Sequence, residues 1–370
     1  GMTVTPYVPE PLPPAGIDWE SHIPQIASAN RALARYDGIL QAIPNPEILL
    51  SPLLTQEAVL SSRIEGTRAS LEDVLRFEAN PKVEISDTAL ADIQEIINYR
   101  EALRAAVDAL KARQLDVALI CDLHRILLTD SRGRDREPGC IREIQNFIGR
   151  DAYIEHAIFV PPAPENVPRA LAEWEEYLQG EEKDVLVQLS VLKAQFEIIH
   201  PFCDGNGRIG RMLVPLILYE KELIGSPMFY ISAYFERYRP VYYERLLAVS
   251  RDGDWNGWIS FFLGAIEEQA EENGRKAKGI LGLYDEMKQT VPAVTRSQYA
   301  IAAVDALFKT PIFVPSEFYE QSMIPKKTAN RILQQLREQE IIAILEEGSG
   351  SRATTYVFPR LIAITEGERL

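Results

Sequence analysis

The chain has 370 residues and carries 54 Asp and Glu against 39 Lys and Arg, so its formal net charge is −15. Hydrophobic residues make up 46% and charged residues 25%, which is ordinary for globular proteins, and the length leaves room for two or three domains. No apolar run is long enough to span a bilayer, three widely spaced cysteines form no disulfide framework, and four scattered histidines make a zinc site improbable. We therefore expect a cytoplasmic protein with no membrane partner.

The hydrophobic periodicity along the chain predicts a mostly α-helical fold. Residues 1–17 are rich in proline and predict an extended arm, and residues 18–111 follow with a run of helical patterns. Residues 112–270 form the next predicted domain, the core of the chain. Its one clear β element consists of two β-prone runs, Ile141–Gly149 and Ala157–Pro162, on either side of a polar turn.

A short segment of the N-terminal helical region, Ser61–Gly66, reads SSRIEG. It closes a predicted helix in which Thr55 is the cap and Gly66 the stop. Glu65 then lies at the C-terminal end of this helix, where the macrodipole destabilises a carboxylate by about 0.3–1 kcal/mol. A charge in this unfavourable position indicates a cationic partner, although solvent alone also satisfies such glutamates.

The most informative stretch is His200–Arg211, which reads HPFCDGNGRIGR. Before it, apolar residues recur at steps of three and four from Val185 to Ile199, which predicts a helix and not a strand. Pro201 ends this helix, because proline disfavours helical geometry in the residue before it. Apolar spacing resumes from about Asn206 and predicts a second helix.

Three common glycine-loop motifs are excluded by this context. A dinucleotide-binding loop follows a strand, whereas a helix precedes Gly205. A phosphate loop requires Lys and then Ser or Thr at the positions that Arg211 and Met212 occupy. A calcium loop that began at Asp204 would require a glutamate where Pro215 stands.

The residue types in the loop nevertheless predict a phosphate site with a proton acceptor. A glycine-rich loop that leads into a helix presents free N–H groups and a positive dipole end to an anion. Arg208 and Arg211 lie three residues apart and can both reach phosphate oxygens. Asp204 would repel an anion and is better suited to hold Mg²⁺, which bridges phosphates. His200 is the group that can take a proton near neutral pH.

The end of the chain has a different character. Residues 271–290 predict a connecting helix, and residues 291–370 predict a separate domain. There, a short helix precedes an amphipathic helix within Ile324–Gln339. Two β-prone runs follow, Ile341–Leu345 and Thr354–Phe358, with a glycine-containing turn between them. Helix, turn, helix and hairpin in this order resemble a winged helix.

A winged helix suggests contact with nucleic acid, here through Lys326, Lys327 and Arg331. Nonspecific DNA affinity requires a basic surface, whereas residues 291–370 carry nine Lys and Arg against nine Asp and Glu. Winged helices also serve as protein-interaction modules, so DNA and a protein partner both stay open for this domain.

HPFCDGNGRIGR matches the signature of the Fic family, HxFx(D/E)GNGRxxR, at every defined position. The resemblance implies a Fic-type helical core with a β-hairpin flap. It also implies a protein adenylyltransferase, which transfers AMP from ATP to a Ser, Thr or Tyr hydroxyl of a target protein and releases pyrophosphate. ATP would be the substrate and Mg²⁺ the metal, self-modification would be expected, and dimers are frequent in the family.

The resemblance also implies a role for each motif residue. His200 would deprotonate the target hydroxyl, and Asp204 would hold Mg²⁺ against the α- and β-phosphates. Asn206 and the surrounding amides would stabilise the α-phosphate, while Arg208 and Arg211 would grip the β- and γ-phosphates. The nucleotide-binding set in the motif is then Gly205, Asn206, Gly207, Arg208, Gly210 and Arg211.

Two further segments extend the resemblance. The β-prone runs resemble the family's flap, which pairs with the backbone of the target protein. Tyr230–Arg251 resembles the segment that borders the adenine, with Tyr242 and Tyr243 as candidates, and core packing is the alternative for this pair. The flap residues expected to dock the target are Ile144, Phe147, Ile148 and Phe159.

SSRIEG matches the family's inhibitory motif, (S/T)xxxE(G/N), through Ser61, Glu65 and Gly66. The resemblance implies that Glu65 pairs with Arg211 and keeps ATP from seating its γ-phosphate productively. Two alternatives stay open. One is a DNA-binding regulator in which the Fic core is a sensing module, and the other is the reverse reaction, the removal of AMP from a modified protein.

Overall fold

The computed structural model describes residues 4–129, 132 and 135–367. Within them the fold is mostly helical, as the sequence predicts. The helices are α1 (Trp19–Gln41), α2 (Pro46–Leu49), α3 (Ser51–Ile64), α4 (Leu71–Ala79), α5 (Asp87–Leu110), α6 (Val117–Leu127), α7 (Val167–Gln179), α8 (Val185–Ile199), α9 (Asn206–Glu220), α10 (Ser232–Arg237), α11 (Arg239–Asp252), α12 (Trp255–Thr295), α13 (Ala300–Lys309), α14 (Pro315–Ser322), α15 (Lys326–Glu338) and α16 (Pro359–Glu366). The strands are β1 (Ile148–Gly149), β2 (Ala157–Phe159), β3 (Ile312–Phe313), β4 (Ala343–Glu346) and β5 (Thr355–Val357).

The chain divides into two compact units, and several helices contribute residues to both. The helical region predicted for residues 18–111 is therefore shared between them, and the first three residues of the predicted arm lie outside the described residues. The first unit consists of residues up to Asp37, Leu60–Gly66 and Asn98–Glu271, and the second of Gly38–Val59, Thr67–Ile97 and residues from Glu272 onward.

The first unit is built around α8 and α9. Every residue of α8 from Leu186 to Ile199 is buried, because the helix is apolar on nearly all sides. Its N-terminus is capped by Asp184, whose carboxylate accepts a hydrogen bond from the Val187 N–H at 2.8 Å. α9 packs against α8 at a glycine, Gly210, where a Cβ atom would lie 3.0 Å from Glu197 Cγ. The close approach of the two helices positions the loop between them.

The second unit contains the C-terminal elements that the sequence predicts. β5 lies between β3 and β4 in an antiparallel sheet, with Ile312 opposite Val357. α15 is strongly amphipathic and buries Ala329, Ile332, Leu333 and Leu336. A small apolar cluster, which includes Leu71 of α4 and Ile312 of β3, joins the sheet to α4. The two helices and the hairpin are present in the predicted order, and their interpretation as a winged helix stays a prediction.

One boundary prediction is wrong. Thr55 does not cap its helix but is buried inside α3, which begins one turn earlier at Ser51 because Pro52 is tolerated in a first helical turn. Residues 271–290 are helical, as predicted, and form part of the longer helix α12; their role as a connection between domains stays a prediction. Among the described residues, no helix is both long and apolar enough to cross a membrane.

Candidate active site

The twelve-residue motif lies between α8 and α9, and both predicted helices are confirmed. α8 ends at Ile199, and His200 adopts a left-handed conformation, φ 50° and ψ 59°, that turns the chain out of the helix. Gly205, with φ 82°, makes a second turn just before α9. A left-handed conformation costs energy in a residue other than glycine, so the contacts around His200 must impose it.

Asn206 fixes the shape of this loop. Its Oδ1 accepts a hydrogen bond from the Phe202 N–H at 2.9 Å, and its Nδ2 donates to Phe202 O at 2.8 Å. Both ends of the amide are thus bound to the backbone, and Asn206 is only 3% exposed. The Asn206 side chain is thus engaged with the loop backbone, and the phosphate role expected for Asn206 and the surrounding amides stays a prediction.

His124, on α6, contacts the loop through Asp204 and Phe202. The sequence did not indicate this role. Its Nδ1 accepts a hydrogen bond from the Gly139 N–H at 2.8 Å, so its Nε2 carries the proton and donates to Asp204 O at 2.8 Å. Its ring stacks on Phe202, with centroids 3.7 Å apart. Burial lowers the pKa of His124 to about 4, which keeps the ring neutral and this tautomer fixed. A single histidine on an apolar helix face gave no stronger signal.

Arg142 is the second residue that the sequence did not reveal. Its guanidinium is buried and donates hydrogen bonds to His200 O at 2.7 Å, Pro162 O at 2.7 Å and Ile144 O at 3.1 Å. Its own N–H donates to Pro201 O at 2.9 Å. Arg142 therefore connects both sides of the β-prone region to the segment that carries His200. In the sequence it is one of several polar residues in the run Ile141–Gly149, so nothing local singled it out.

The two β-prone runs form an antiparallel hairpin, with Ile148 of β1 opposite Phe159 of β2. The predicted hairpin is confirmed, although its paired strands are only two and three residues long. Ile144 and Ile148 are 61% and 42% exposed, and Phe147 and Phe159 are half-buried. Apolar side chains in solvent beside the motif indicate a surface that another chain segment can cover.

The proline-rich arm runs along the same hairpin. The Tyr7 N–H donates to Val160 O at 2.9 Å, and the Tyr7 ring lies 5.8 Å from the Phe159 ring. Further on, Trp255 Nε1 donates to the Glu10 carboxylate at 3.2 Å. The described residues of the arm, 4–17, form no helix or strand, as predicted, but contrary to expectation they pack against other residues of the first unit.

The His200 side chain is half-buried, and its hydrogen bond to the protein is made through Nδ1. Its Nδ1 lies 3.3 Å from Glu197 O, and because a carbonyl only accepts, this contact places the proton on Nδ1. The lone pair then lies on Nε2. Burial, together with the charge of Arg142, lowers the pKa of His200 to about 4. The imidazole is neutral at physiological pH and is therefore in the form that accepts a proton.

Glu65 and Arg211 form the central ion pair of the site. Arg211 is 1% exposed, and its Nη2 donates to Glu65 Oε1 at 2.6 Å. Ser61 holds the same guanidinium through its hydroxyl, 2.9 Å from Arg211 Nε, and through its carbonyl oxygen, 3.0 Å from Nη2. Burial alone would raise the pKa of Glu65, but the charge and hydrogen bond of Arg211 outweigh it and lower that pKa. The cationic partner expected for Glu65 is present.

The Glu65 carboxylate also lies directly over the start of α9. A Cβ atom at Gly207 would lie 2.5 Å from Glu65 Oε1 and 3.1 Å from Arg211 Nη1. Any side chain at this position would therefore collide with the ion pair, which explains the need for glycine. Since a helix N-terminus favours anions, the carboxylate occupies a place where a phosphate oxygen would also be stabilised.

Asp204 lies at the edge of this anion site. Its Oδ1 accepts a hydrogen bond from the Gly205 N–H at 2.7 Å and lies 3.5 Å from Arg208 Nη2, and its side chain is 46% exposed. Within the described ranges, no group of three or more His, Cys, Asp or Glu side chains could hold a metal by itself. One accessible carboxylate next to a phosphate site is, however, a donor set that suits Mg²⁺, which takes its other ligands from phosphates and water.

The two tyrosines expected to border the adenine lie on α11 and differ in exposure. Tyr242 is 0% exposed, and its hydroxyl contacts Lys193 and Glu197, so its ring has no free face for a base. Tyr243 is 43% exposed and packs on Tyr242 with ring centroids 5.3 Å apart. Burial thus corrects the expectation for Tyr242, which belongs to the core, and leaves Tyr243 as the candidate.

The structure brings together the residues that the sequence assigned to catalysis, nucleotide, metal and inhibition, all of which lie in the first unit. Lys326, Lys327 and Arg331, the candidates for nucleic-acid contact, are exposed on α15 of the second unit.

The site thus combines a histidine that is neutral at physiological pH with the glycine-rich N-terminus of α9, the helix that carries Arg208 and Arg211. Residues 23–108 match the family model described as Fic/DOC family N-terminal, and residues 114–218 match the one described as Fic/DOC family. The two matches together span more than half of the chain, which belongs to the Fic/DOC family.

Named relatives match slightly less than half of the chain. A probable protein adenylyltransferase of Aquifex aeolicus is 26% identical over 179 residues, which are 48% of this chain and 52% of that protein. A protein adenylyltransferase Fic of Nematostella vectensis is 28% identical over 163 residues, which are 43% of this chain and 36% of that protein. The chain thus spans about half or less of the length of these curated relatives.

Solved structures show the same fold. A Fic family protein from Desulfovibrio desulfuricans G20 has a TM-score of 0.60 at 21% identity, covering 94% of this chain and 98% of its own. Fic-1 from C. elegans has a TM-score of 0.54 at 21% identity, covering 71% of this chain and 76% of its own. The architecture described above is therefore a Fic fold.

Proposed function

We propose that the chain is a protein adenylyltransferase, which transfers AMP from ATP to a Ser, Thr or Tyr hydroxyl of a target protein and releases pyrophosphate. One observation carries the proposal: an anion, the Glu65 carboxylate, already lies at the N-terminus of α9 in the grip of Arg211. A site that binds an anion beside a neutral imidazole suits phosphoryl-type transfer to a hydroxyl. Relatives named protein adenylyltransferase support the reaction class.

His200 is the proton acceptor in this proposal. Its Nε2 takes the proton of the target hydroxyl, and the hydroxyl oxygen forms a bond to the α-phosphorus of ATP. The bond between the α-phosphorus and its bridging oxygen to the β-phosphate breaks, and pyrophosphate leaves with that electron pair. The lowered pKa of His200 keeps the acceptor nitrogen free, and the imidazolium returns its proton to solvent after the step.

The N-terminus of α9 holds the phosphate chain. The glycines at positions 205, 207 and 210 permit close backbone approach, and Arg208 and Arg211 bind the β- and γ-phosphates. Asp204 would hold Mg²⁺, which when bound neutralises phosphate charge and orients the leaving group. Tyr243 borders the adenine with its exposed ring.

The hairpin is the docking site for the target. An extended target segment pairs with it, and the exposed Ile144 and Ile148 together with Phe147 and Phe159 pack against that segment. Arg142 then has a clear purpose, because it fixes the hairpin relative to the backbone of His200. A hydroxyl on the docked segment is thereby placed near the proton acceptor.

Glu65 is the internal inhibitor. While it pairs with Arg211, with Ser61 fixing the guanidinium and Gly66 ending the inhibitory helix, the γ-phosphate cannot bind Arg211. The test is incorporation of label from α-labelled ATP into the chain itself, which needs no known target. The native chain should give a low signal, Glu65→Gly a much higher one, and Glu65→Gly with His200→Ala none.

A matched control is Glu222→Gly, because Glu222 is also an exposed glutamate just beyond a helix and has φ 60°, which glycine accepts easily. Its signal should equal that of the native chain. Absence of incorporation in every variant, with ATP binding intact, would contradict self-modification and favour a regulator. Release of AMP from premodified protein, dependent on Glu65, would instead assign the reverse reaction.

A second candidate function concerns α15 alone. The exposed Lys326, Lys327 and Arg331 lie at its N-terminal end, ahead of a β-hairpin, in the order of a winged helix. This arrangement supports a DNA-binding or protein-docking role for the second unit, alongside the transferase activity proposed for the first.

A further inference from the structure

The core of the first unit contains an ionic cluster that none of the roles above explains. Lys193 and Glu197 lie one turn apart on α8, and Lys193 Nζ contacts Glu197 Oε2 at 2.9 Å. The Tyr242 hydroxyl, from α11, lies 2.8 Å from Lys193 Nζ and 3.0 Å from Glu197 Oε1. The side chains of Lys193 and Glu197 are 0% and 8% exposed, and Tyr242 is fully buried. We call these three residues the Lys–Glu–Tyr cluster.

Structural stability alone does not account for this cluster. A buried ion pair is costly to desolvate, and apolar residues of similar size often serve a core as well or better. α8 is otherwise rich in apolar residues that would fill the space. The cluster therefore needs another reason, and its neighbour supplies one.

That neighbour is Arg211. Glu197 packs against Gly210, the residue before Arg211. A Cβ atom added at Gly210 would lie 3.0 Å from Glu197 Cγ. Arg211 interacts electrostatically with Tyr242 and with Glu197 as well as with Glu65. The Tyr242 hydroxyl donates to Glu197 and accepts from Lys193, which leaves one lone pair available to the guanidinium.

The charges explain why a lysine is present. Glu197 by itself would be a buried counter-ion for Arg211 and would compete with any phosphate for it. Lys193 neutralises Glu197, so the positive charge of Arg211 is left for another anion. With Glu65 in place, the two positive charges of Lys193 and Arg211 balance the two negative charges of the glutamates. Without Glu65 one positive charge remains.

We infer that Lys193, Glu197 and Tyr242 are positioning residues for Arg211, which hold its guanidinium and keep it free to bind the β- and γ-phosphates of ATP. The inference rests on the proposed nucleotide site. It implies that the Lys–Glu–Tyr cluster, through Arg211, sets the affinity of that site for phosphate. Glu65 and the nucleotide phosphates then compete for the same unneutralised charge.

The experiment measures direct nucleotide binding in a Glu65→Gly background, with no catalytic step involved. Lys193→Met leaves Glu197 to neutralise Arg211 and should weaken ATP binding by roughly tenfold. AMP, which lacks the β- and γ-phosphates, should bind as before. The double variant Lys193→Met with Glu197→Gln removes both charges and should recover most of the ATP affinity. Because no transfer is measured, a failure of the adenylyltransferase proposal would not alter these results.

A second substitution covers the case in which Lys193→Met does not fold. Tyr242→Phe removes only the hydroxyl and should weaken ATP binding about threefold, again with AMP unaffected. Tyr177→Phe is the matched control. Tyr177 lies on α7, and its hydroxyl also donates to a glutamate, Glu182, at 3.0 Å. ATP affinities equal to the parent in Lys193→Met and Tyr242→Phe would overturn the inference. A double variant weaker than Lys193→Met would do so too, because purely structural losses accumulate.

Discussion

Two helices of this chain present basic side chains, and they differ in how those side chains meet solvent. On α9, Arg208 and Arg211 are 5% and 1% exposed, whereas Lys327 and Arg331 on α15 are exposed. A buried cation requires an anion because its desolvation is costly, and Arg211 has one in Glu65. An exposed cation is satisfied by water and selects no partner by itself. Burial therefore makes the interpretation of α9 much more specific than that of α15.

The largest effect is expected from the proton acceptor beside α9. In a Glu65→Gly background, His200→Ala should lower AMP incorporation by roughly 10²–10⁴-fold, because the positioned base is lost. ATP binding should be largely unchanged, since the phosphates are held by α9 and its arginines. The measurement pairs the incorporation rate with a binding isotherm. Undiminished transfer would remove the base assignment, and a parallel loss of ATP binding would mean that the loop itself had been damaged.

Asp204→Ala tests whether the edge of the α9 site holds a metal. In the parent, Mg²⁺ should tighten ATP binding relative to a metal-free buffer, because the cation bridges the carboxylate and the phosphates. In the variant the two affinities should converge. Asp252→Ala is a suitable control, since Asp252 is an exposed carboxylate paired with Arg251 at 2.7 Å on another helix. A variant that kept the full Mg²⁺ effect would show that Asp204 is not the ligand.

The parts of this site that the sequence predicts are those with a local signal. The apolar spacing before His200, the proline after it and the glycines up to Gly210 predict two helices and the loop between them, and all three are confirmed. Glu65 was indicated by its unfavourable position at a helix end, and its contact with Arg211 followed from the family resemblance and not from spacing.

The parts that the sequence does not predict depend on contacts between distant segments. The Arg142 side chain binds carbonyls up to 58 residues away, and His124 binds the carbonyl of Asp204, 80 residues away. For Tyr242 the sequence left an adenine-bordering role and core packing both open, and the packing of α11 against α8 buries it. None of these contacts leaves a periodicity or a motif in the sequence, so each requires the folded chain to be seen.

For α15 the test is the salt dependence of duplex DNA binding. A variant with Lys326, Lys327 and Arg331 all changed to Ala should bind duplex DNA more weakly than the parent. Its log–log salt slope should be shallower by about one unit for each lost phosphate contact. Arg360→Ala is the control, because Arg360 is already paired with Glu286 at 2.8 Å. If the parent bound no duplex even at low salt, the exposed face would be assigned to a protein partner.

The smallest effect is expected on the pH dependence of stability, through His124. Its ring is buried beside the loop that leads into α9. Burial lowers its pKa to about 4, against an ordinary value near 6.5 in the unfolded chain. As the pH falls from 6.5 to 4, the unfolded chain takes up this proton before the folded chain does. The free energy of unfolding is therefore unaffected by this group above pH 6.5. Between pH 6.5 and 4 it falls by about 1.4 kcal/mol for each pH unit.

His124→Gln should flatten that dependence, because glutamine can still donate to Asp204 O but does not titrate. The free energy of unfolding in urea, measured at pH 7, 6 and 5, should fall less steeply for the variant than for the native chain. The slope should not vanish, since burial also lowers the pKa of His200 to about 4 and His200 titrates in both chains. Parallel curves would mean that the His124 ring takes up its proton equally in the folded and unfolded chains, and burial beneath the loop would then not control its charge.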